Sequence, residues 1–176
     1  CTVRNYTNRF VYVSLSGKIE SLTIDDCIFI GADNSTTNKA IYASSAHTQV
    51  ETLSVTNSTF LNFNTGSNYF FRINCGEELV LMPVVLIDHC TFYNCYDRRG
   101  VYLYNAGRST IKNCISAFSE RRDDTKSFTA YGDESIVKNV ISYNVDLYGS
   151  APKENIISKN PLFVDAENGN FQLYKD

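Results

Sequence analysis

Val11-Tyr-Val-Ser14, Ile41-Tyr-Ala-Ser44, Phe71-Arg-Ile-Asn74 and Val101-Tyr-Leu-Tyr104 begin thirty residues apart each time. Within each, alternation of period two sends Val11 and Val13, Ile41 and Ala43, Phe71 and Ile73, and Val101 and Leu103 to one side of a strand. That side is uniformly apolar. The other side carries Tyr12, Tyr42, Arg72 and Tyr102 in one column and Ser14, Ser44, Asn74 and Tyr104 in the next. A fifth copy near Phe128-Thr-Ala-Tyr131 comes two or three residues early. Strands this short cannot close a core singly, so they are stable only when successive turns stack and share one interior.

A second series lies between these segments: Leu22-Thr-Ile-Asp-Asp-Cys-Ile-Phe29, Leu53-Ser-Val-Thr-Asn-Ser-Thr-Phe60 and Val85-Leu-Ile-Asp-His-Cys-Thr-Phe92. Weaker copies follow at Ile111-Lys-Asn-Cys-Ile-Ser116 and Val137-Lys-Asn-Val-Ile-Ser142. A small residue recurs at Cys27, Ser58, Cys90, Cys114 and Val140, preceded by Asp26, Asn57, His89, Asn113 and Asn139. Asn is the non-glycine residue that best tolerates left-handed backbone, so the pattern predicts a bend repeated on every turn. Phe29, Phe60 and Phe92 are expected to stack. Two strands per turn and right-handed crossovers predict an all-β chain, a right-handed parallel β-helix of five to six coils. At about 4.8 Å per coil its length is roughly 25 to 30 Å. Residues 1–176 form a single domain in this scheme, expected to be a segment of a longer parent chain.

Composition agrees. The 176 residues are 43% hydrophobic and 20% charged, enough for a core of ordinary size. Tyr, Phe, Thr and Ser abound, and there are eighteen Asn. A net charge of −3 argues against nucleic acid as partner, since gripping phosphates needs a basic face. The longest apolar stretch, Leu79 to Ile87, is broken by Pro83, so no transmembrane segment is expected. Six cysteines without a CxxC pair, and only His47 and His89 to assist, lack zinc-ligand spacing. They are expected to be reduced core filler. Cys27 and Cys90 fall two turns apart, too far for a disulfide, whereas Cys90 and Cys114 lie on adjacent turns.

The coils resemble those of the pectate-lyase-like right-handed parallel β-helix superfamily, on the strength of the Asn113-Cys114 and Asn139-Val140 bends and of the Phe60 and Phe92 coil segments. The ending Asn160-Pro-Leu-Phe-Val-Asp165, followed by Asn168-Gly-Asn-Phe-Gln-Leu173, is similar to the closing signature of surface and secreted β-helix proteins of Bacteroides-type polysaccharide degraders. Residues 160–176 therefore resemble a closing coil. The resemblance implies an extracellular, cell-surface or periplasmic bacterial protein that handles polysaccharide, often acidic, as a lyase or as a non-catalytic relative. Lyases of the superfamily use an Arg or Lys base and Ca²⁺ held by several carboxylates. In this chain Asp25 and Asp88 fall two turns apart with Thr56 between them, so no metal site is expected.

Candidate site residues follow from the outward columns. Tyr12, Tyr42, Tyr102 and Tyr104 offer flat faces for sugar rings, and Arg72 suits bidentate pairing with a uronate carboxylate. Arg99 is a further contact in the loop before the Val101 strand. If the chain cleaves by β-elimination, Arg72 neutralises the uronate and Tyr102 or Arg98 acts as base. The structural alternative is an aromatic column covered by other parts of the chain, with Arg72 stacked on Tyr for stability. A non-catalytic binding, structural or adhesin-like module of a larger cell-surface protein is the alternative function. The cluster Glu120-Arg-Arg-Asp-Asp124 mixes signs and is expected to be solvated surface, as Lys112 and Lys138 beside Asp88 are expected to form a charge ladder. His89 is expected to take part in the ladder of bends.

Overall fold

The computed structural model describes residues 1–4, 8–13, 18–31, 39–45, 49–63, 69, 71–75, 83–95, 100–104, 107–123 and 125–174, with the backbone alone at 44, 45, 49 and 75. Among them are eighteen strands and no helix: β1 (Thr2–Val3), β2 (Arg9–Val13), β3 (Lys18–Asp25), β4 (Ile28–Ile30), β5 (Lys39–Ser45), β6 (Gln49–Thr56), β7 (Thr59–Leu61), β8 (Phe71–Cys75), β9 (Val84–Asp88), β10 (Thr91–Tyr93), β11 (Val101–Tyr104), β12 (Arg108–Ala117), β13 (Lys126–Ala130), β14 (Ile136–Tyr143), β15 (Asp146–Tyr148), β16 (Lys153–Ile157), β17 (Phe163–Asp165) and β18 (Asn170–Leu173).

The chain is a parallel β-solenoid. One face is the ladder β2-β5-β8-β11-β13-β15. Its register places Val11 on Ile41, Ile41 on Phe71, and Phe71 on Val101, as the thirty-residue period requires. The next pairing is Val101 with Phe128, three residues short of that period. The other wall is a ten-stranded sheet in which β3, β6, β9, β12, β14 and β16 stack in register. Beyond a bend, β1, β4, β7, β10 and the second half of β12 continue it.

The bend is the left-handed position anticipated above. Asp26, Asn57, His89, Asn113, Asn139 and Asn155 all have φ between 49° and 53°. Their amides keep the ladder going across the bend: Asn57 N donates to Asp88 O at 3.1 Å and His89 N to Lys112 O at 3.3 Å. The side chains form a second, polar ladder. Asn155 Nδ2 donates to Asn139 Oδ1 at 2.9 Å, Asn139 Nδ2 to Asn113 Oδ1 at 3.1 Å, and Asn113 Nδ2 to Asp88 Oδ1 at 2.9 Å. Asp25 accepts from Thr56 Oγ1 at 2.6 Å and from Asn57 Nδ2 at 2.9 Å. Each carboxylate thus ends a run of amide donors. Asp88 also accepts from Lys112 and from His89 Nδ1, which explains the histidine in an asparagine position.

A second bend, which the repeat does not announce, runs through Gly31, Asn62, Asn94 and Asn144. The three asparagines are again left-handed, at φ between 51° and 58°. Gly31 lies so close beneath this bend that a Cβ there would meet Asn62 O at 2.2 Å. Between the bends the interior packs. Phe29, Phe60 and Phe92 stack at 4.9 Å between centroids with planes 6° and 4° apart, and Phe128 closes the pile edge-on at 5.1 Å. Cys90 and Cys114 are buried in the small-residue column, beside the Phe stack.

Residues 160–174 do not add a rung. β17 and β18 pair antiparallel with each other, and Phe163 and Phe171 lie against Tyr93 on the flank of the solenoid, at 6.0 and 5.6 Å. Phe163, Ala166 and Phe171 thereby cover a small cluster of Leu61, Tyr93 and Ala117.

Phe60 is wholly buried with a ring on each side, so Phe60→Ala removes two stacking contacts at once. We expect a loss of about 3–5 kcal/mol in denaturant unfolding, far more than an exposed Phe10→Ala. The capped ladders also predict acid sensitivity. Hydrogen bonds from Thr56 and then Asn57 hold the Asp25 carboxyl below its usual range. At Asp88 burial pushes upward, but hydrogen bonds from Asn113 and Lys112 and the neighbouring His89 and Lys112 charges outweigh it, so this carboxyl too lies low. Such groups bind protons less readily folded than unfolded. Their stabilisation is complete above the unfolded value, about 3.9, and is lost as pH falls through the lower folded values. Urea midpoints measured downward from neutral pH should therefore drop below about pH 4, and the drop should be shallower in Asp25→Asn/Asp88→Asn.

Candidate functional site

The outward side of the β2-β5-β8-β11 ladder carries the predicted column. In-register pairing puts Tyr12 on Tyr42, Tyr42 on Arg72, and Arg72 on Tyr102. None of the four belongs to the apolar interior, which takes Val11, Val13, Ile41, Ala43, Phe71, Ile73, Val101 and Leu103 instead. Tyr12 is 51% exposed and its ring lies 6.0 Å from that of Tyr42. The Arg72 guanidinium is 5.7 Å from the Tyr42 ring and 5.8 Å from the Tyr102 ring, and Nη1 donates to Tyr42 Oη at 3.1 Å.

Three residues that period-two reasoning missed join this face. Arg9 places its guanidinium 4.3 Å from the Tyr12 ring and 4.8 Å from the Tyr42 ring. Lys39 Nζ is 5.8 Å from the Tyr42 ring, and Tyr69 lies 4.6 Å from the Arg72 guanidinium. Counting back in twos from Val11 and Ile41 puts Arg9 and Lys39 inside. The chain turns a corner instead: Ala40 and Ile41 are buried consecutively, which flips the phase and sends Lys39 outward. Arg9, Lys39 and Tyr69 nevertheless step by thirty, the signal that would have found them. The next step falls on Arg99. Arg98 and Arg99 lie outside the described residues, as do Ser14 and His47.

Tyr102 differs in access from the other members of its column. It is only 6% exposed because Tyr69 lies 4.7 Å away, Tyr104 stacks on it at 5.9 Å with planes 4° apart, and Tyr131 meets it edge-on at 6.3 Å. Tyr104 itself is 37% exposed. The surface open to a ligand is thus made by Tyr12, Tyr42, Arg72 and Tyr104 with Arg9 and Lys39, while Tyr102 is the floor under it. The phase of the strand shows that Tyr102 faces outward. It cannot show the sideways cover from Tyr104 and Tyr131.

The electrostatics of this face set it apart. Several cations elsewhere have carboxylate partners: Lys18 with Glu51, Lys112 with Asp88, Arg121 with Asp123 and Asp146, Arg122 with Glu120, and Lys126 with Asp146, while Lys153 donates to the Gly149 and Ala151 carbonyls. The mixed-sign loop at 120–123 is accordingly self-paired surface, and Lys138 pairs in register with Glu154. Among the described residues no carboxylate lies within ion-pair reach of Arg9, Lys39 or Arg72. Arg9 Nε and Arg72 Nε are shielded from water and have no hydrogen-bond acceptor among the described residues. Tyrosine faces hold both guanidiniums in place while leaving their charge uncancelled.

Among the described residues no group of three or more His, Cys, Asp or Glu side chains is arranged to hold a metal ion. Asp25, Thr56 and Asp88 stand in one column, where Asp25 Oδ1 accepts from Thr56 and Asn57 and the Asp88 oxygens face Asn113, His89 and Lys112. No helix among the described residues is long and apolar enough to cross a membrane. Compared with known proteins, the chain matches no family model, no curated protein and no solved structure.

The contact between Arg72 and Tyr42 is measurable alone. A double-mutant cycle with Arg72→Met and Tyr42→Leu in urea unfolding should return a favourable coupling of about 0.5–1 kcal/mol. A coupling of zero would show that the two side chains are merely neighbours.

Proposed function

We propose that this chain binds an acidic polysaccharide along the Tyr/Arg face, with the pyranose rings on Tyr12, Tyr42 and Tyr104 and the uronate or sulfate groups on Arg72, Arg9 and Lys39. The observation that carries the proposal is the run of cations held between phenol rings with no carboxylate partner among the described residues. An internal ion pair would have neutralised such a strip, whereas an anionic polymer lying along the ladder neutralises it only when bound. The Tyr12 and Tyr42 rings, 6.0 Å apart on adjacent rungs, add apolar contact beside the cations.

The parallel solenoid, its left-handed asparagine bends and its Phe stack support kinship with the pectate-lyase-like superfamily, and with it a place outside the bacterial cytoplasm, at the cell surface, in the periplasm or secreted. We read the face as a binding surface rather than a cleavage site because Tyr102, one of the bases elimination would use, is covered by its neighbours. Arg72 would neutralise a uronate in either role.

Affinity electrophoresis in gels containing pectate, alginate or chondroitin, with dextran as the neutral reference, tests the proposal. Retardation is expected in at least one acidic glycan and not in dextran, weakening as salt screens the cations. Arg72→Ala should weaken it about tenfold, as loss of a charge-assisted contact does. Unsaturated product, followed by ultraviolet absorbance in the same glycans, would convert the binding surface into a lyase site. Equal mobility in all gels, with Arg72→Ala and Tyr42→Ala altering stability alone, would make the column structural.

A further inference from the structure

Cys1 and Cys27 occupy the same place on adjacent rungs. Thr2 pairs with Ile28 and Val3 with Phe29, so the residues just before them lie one above the other. Their Sγ atoms are 3.0 Å apart. Backbone contacts fix this arrangement: Cys1 N donates to Asp26 O at 2.6 Å, and Ile28 N donates to Cys1 O at 2.7 Å. Cys27 Sγ also donates to Asp25 O at 3.2 Å. Cys1 is exposed and Cys27 half-buried, so a reagent in solution reaches the pair.

We propose that Cys1 and Cys27 are an oxidation site, closing to a disulfide that fastens β1 to β4. Paired strands bring equivalent Cα atoms to about 5 Å, inside the span that a disulfide accepts. Other cysteines of the described chain differ in access, not in stacking. Cys90 and Cys114 are neighbours in the same column, yet they are 1% and 2% exposed, out of an oxidant's reach. Thiol–disulfide exchange needs a thiolate that the oxidant can touch, so these two stay reduced. Cys95 is buried as well.

The oxidant is an external disulfide such as oxidised glutathione. The Cys1 thiolate attacks one of its sulfurs, forming a mixed disulfide and releasing one glutathione thiolate. Cys27, having given its proton to solvent, then attacks the Cys1 sulfur and expels the second. One Cys1–Cys27 bond forms, the glutathione disulfide is reduced to two thiols, and the two cysteine protons are taken up by the leaving thiolates. The product fixes a strand only two residues long, whose one strand partner among the described residues is β4.

The full chain, incubated with oxidised glutathione or with a reductant, is alkylated under native conditions and its peptides mapped without reduction. We expect a Cys1–Cys27 linked pair, loss of both thiols to the alkylating reagent, Cys90, Cys95 and Cys114 protected in either state, and a Tm raised by about 5 °C or more on closing this loop. Cys27→Ser should abolish the link and make Tm independent of the glutathione state. It should fold, because Ser58 fills the same column on the next rung. A linkage to any other cysteine, Cys75 included, or Cys1 and Cys27 both remaining alkylatable after oxidation, would overturn the proposal.

Discussion

Every rung of this solenoid must bend at the same place, in the left-handed region, or the rung above it loses its register. Asp26, Asn57, His89, Asn113, Asn139 and Asn155 meet that requirement with one value of φ to within a few degrees. Asparagine tolerates left-handed backbone, and its amide can donate to the rung on one side while accepting from the other. The backbone constraint and the side-chain ladder therefore reinforce each other. Where the run of amides stops it needs a terminal acceptor, and Asp25 and Asp88 supply one with a carboxylate that accepts without donating. Alignment at the bend is also what allows Phe29, Phe60 and Phe92 to stack nearly flat. A slip of one residue would turn each ring to the outside.

With the interior committed to this packing, chemical individuality is left to the outward columns and to what surrounds them. On the bend wall the column Asp25, Thr56, Asp88, Lys112, Lys138, Glu154 mixes both signs, and Lys112 pairs with Asp88 inside it. On the opposite wall tyrosines take the places where carboxylates would have neutralised Arg9, Lys39 and Arg72. Tyrosine restrains a guanidinium through its ring face while leaving the charge available. The same stacked geometry thus yields a closed charge ladder on one side and an open cationic strip on the other.

Much of this was legible because a parallel stack turns sequence period directly into spatial neighbourhood. The thirty-residue step gave the Val11, Ile41, Phe71 and Val101 register, and the residues before the small column gave the bend. What escaped were departures from strict alternation and contacts at right angles to the stack. Lys39 lies on the tyrosine face because the chain turns a corner at Ala40 and Ile41, and two adjacent buried residues have no period-two signature; Arg9 reaches the Tyr12 and Tyr42 rings from a strand whose alternation is unbroken. Tyr102 is covered by Tyr104 and Tyr131, and a lateral aromatic contact leaves no mark in the spacing. Residues 160–176 resemble a closing coil through Asn160-Pro-Leu-Phe-Val-Asp165 and Asn168-Gly-Asn-Phe-Gln-Leu173, and that likeness carries no sign of the antiparallel pairing of β17 with β18 or of Phe163 and Phe171 packing on Tyr93 from outside.

The small-residue column shows how position along a stack changes the chemistry of one residue type. Cys1, Cys27, Ser58, Cys90, Cys114 and Val140 are geometrically equivalent, each just past or level with a bend and aligned by the same ladder. In the middle of the pile a thiol is a small apolar group, interchangeable in role with Ser58 or Val140. Packing alone selects for size there. Cys1 is exposed and Cys27 half-buried, so these thiols meet water, and their fixed proximity becomes a chemical property rather than a packing one. A repeat protein therefore need not evolve a separate motif to acquire a reactive pair, because an accessible pair of rungs makes one out of its own core pattern.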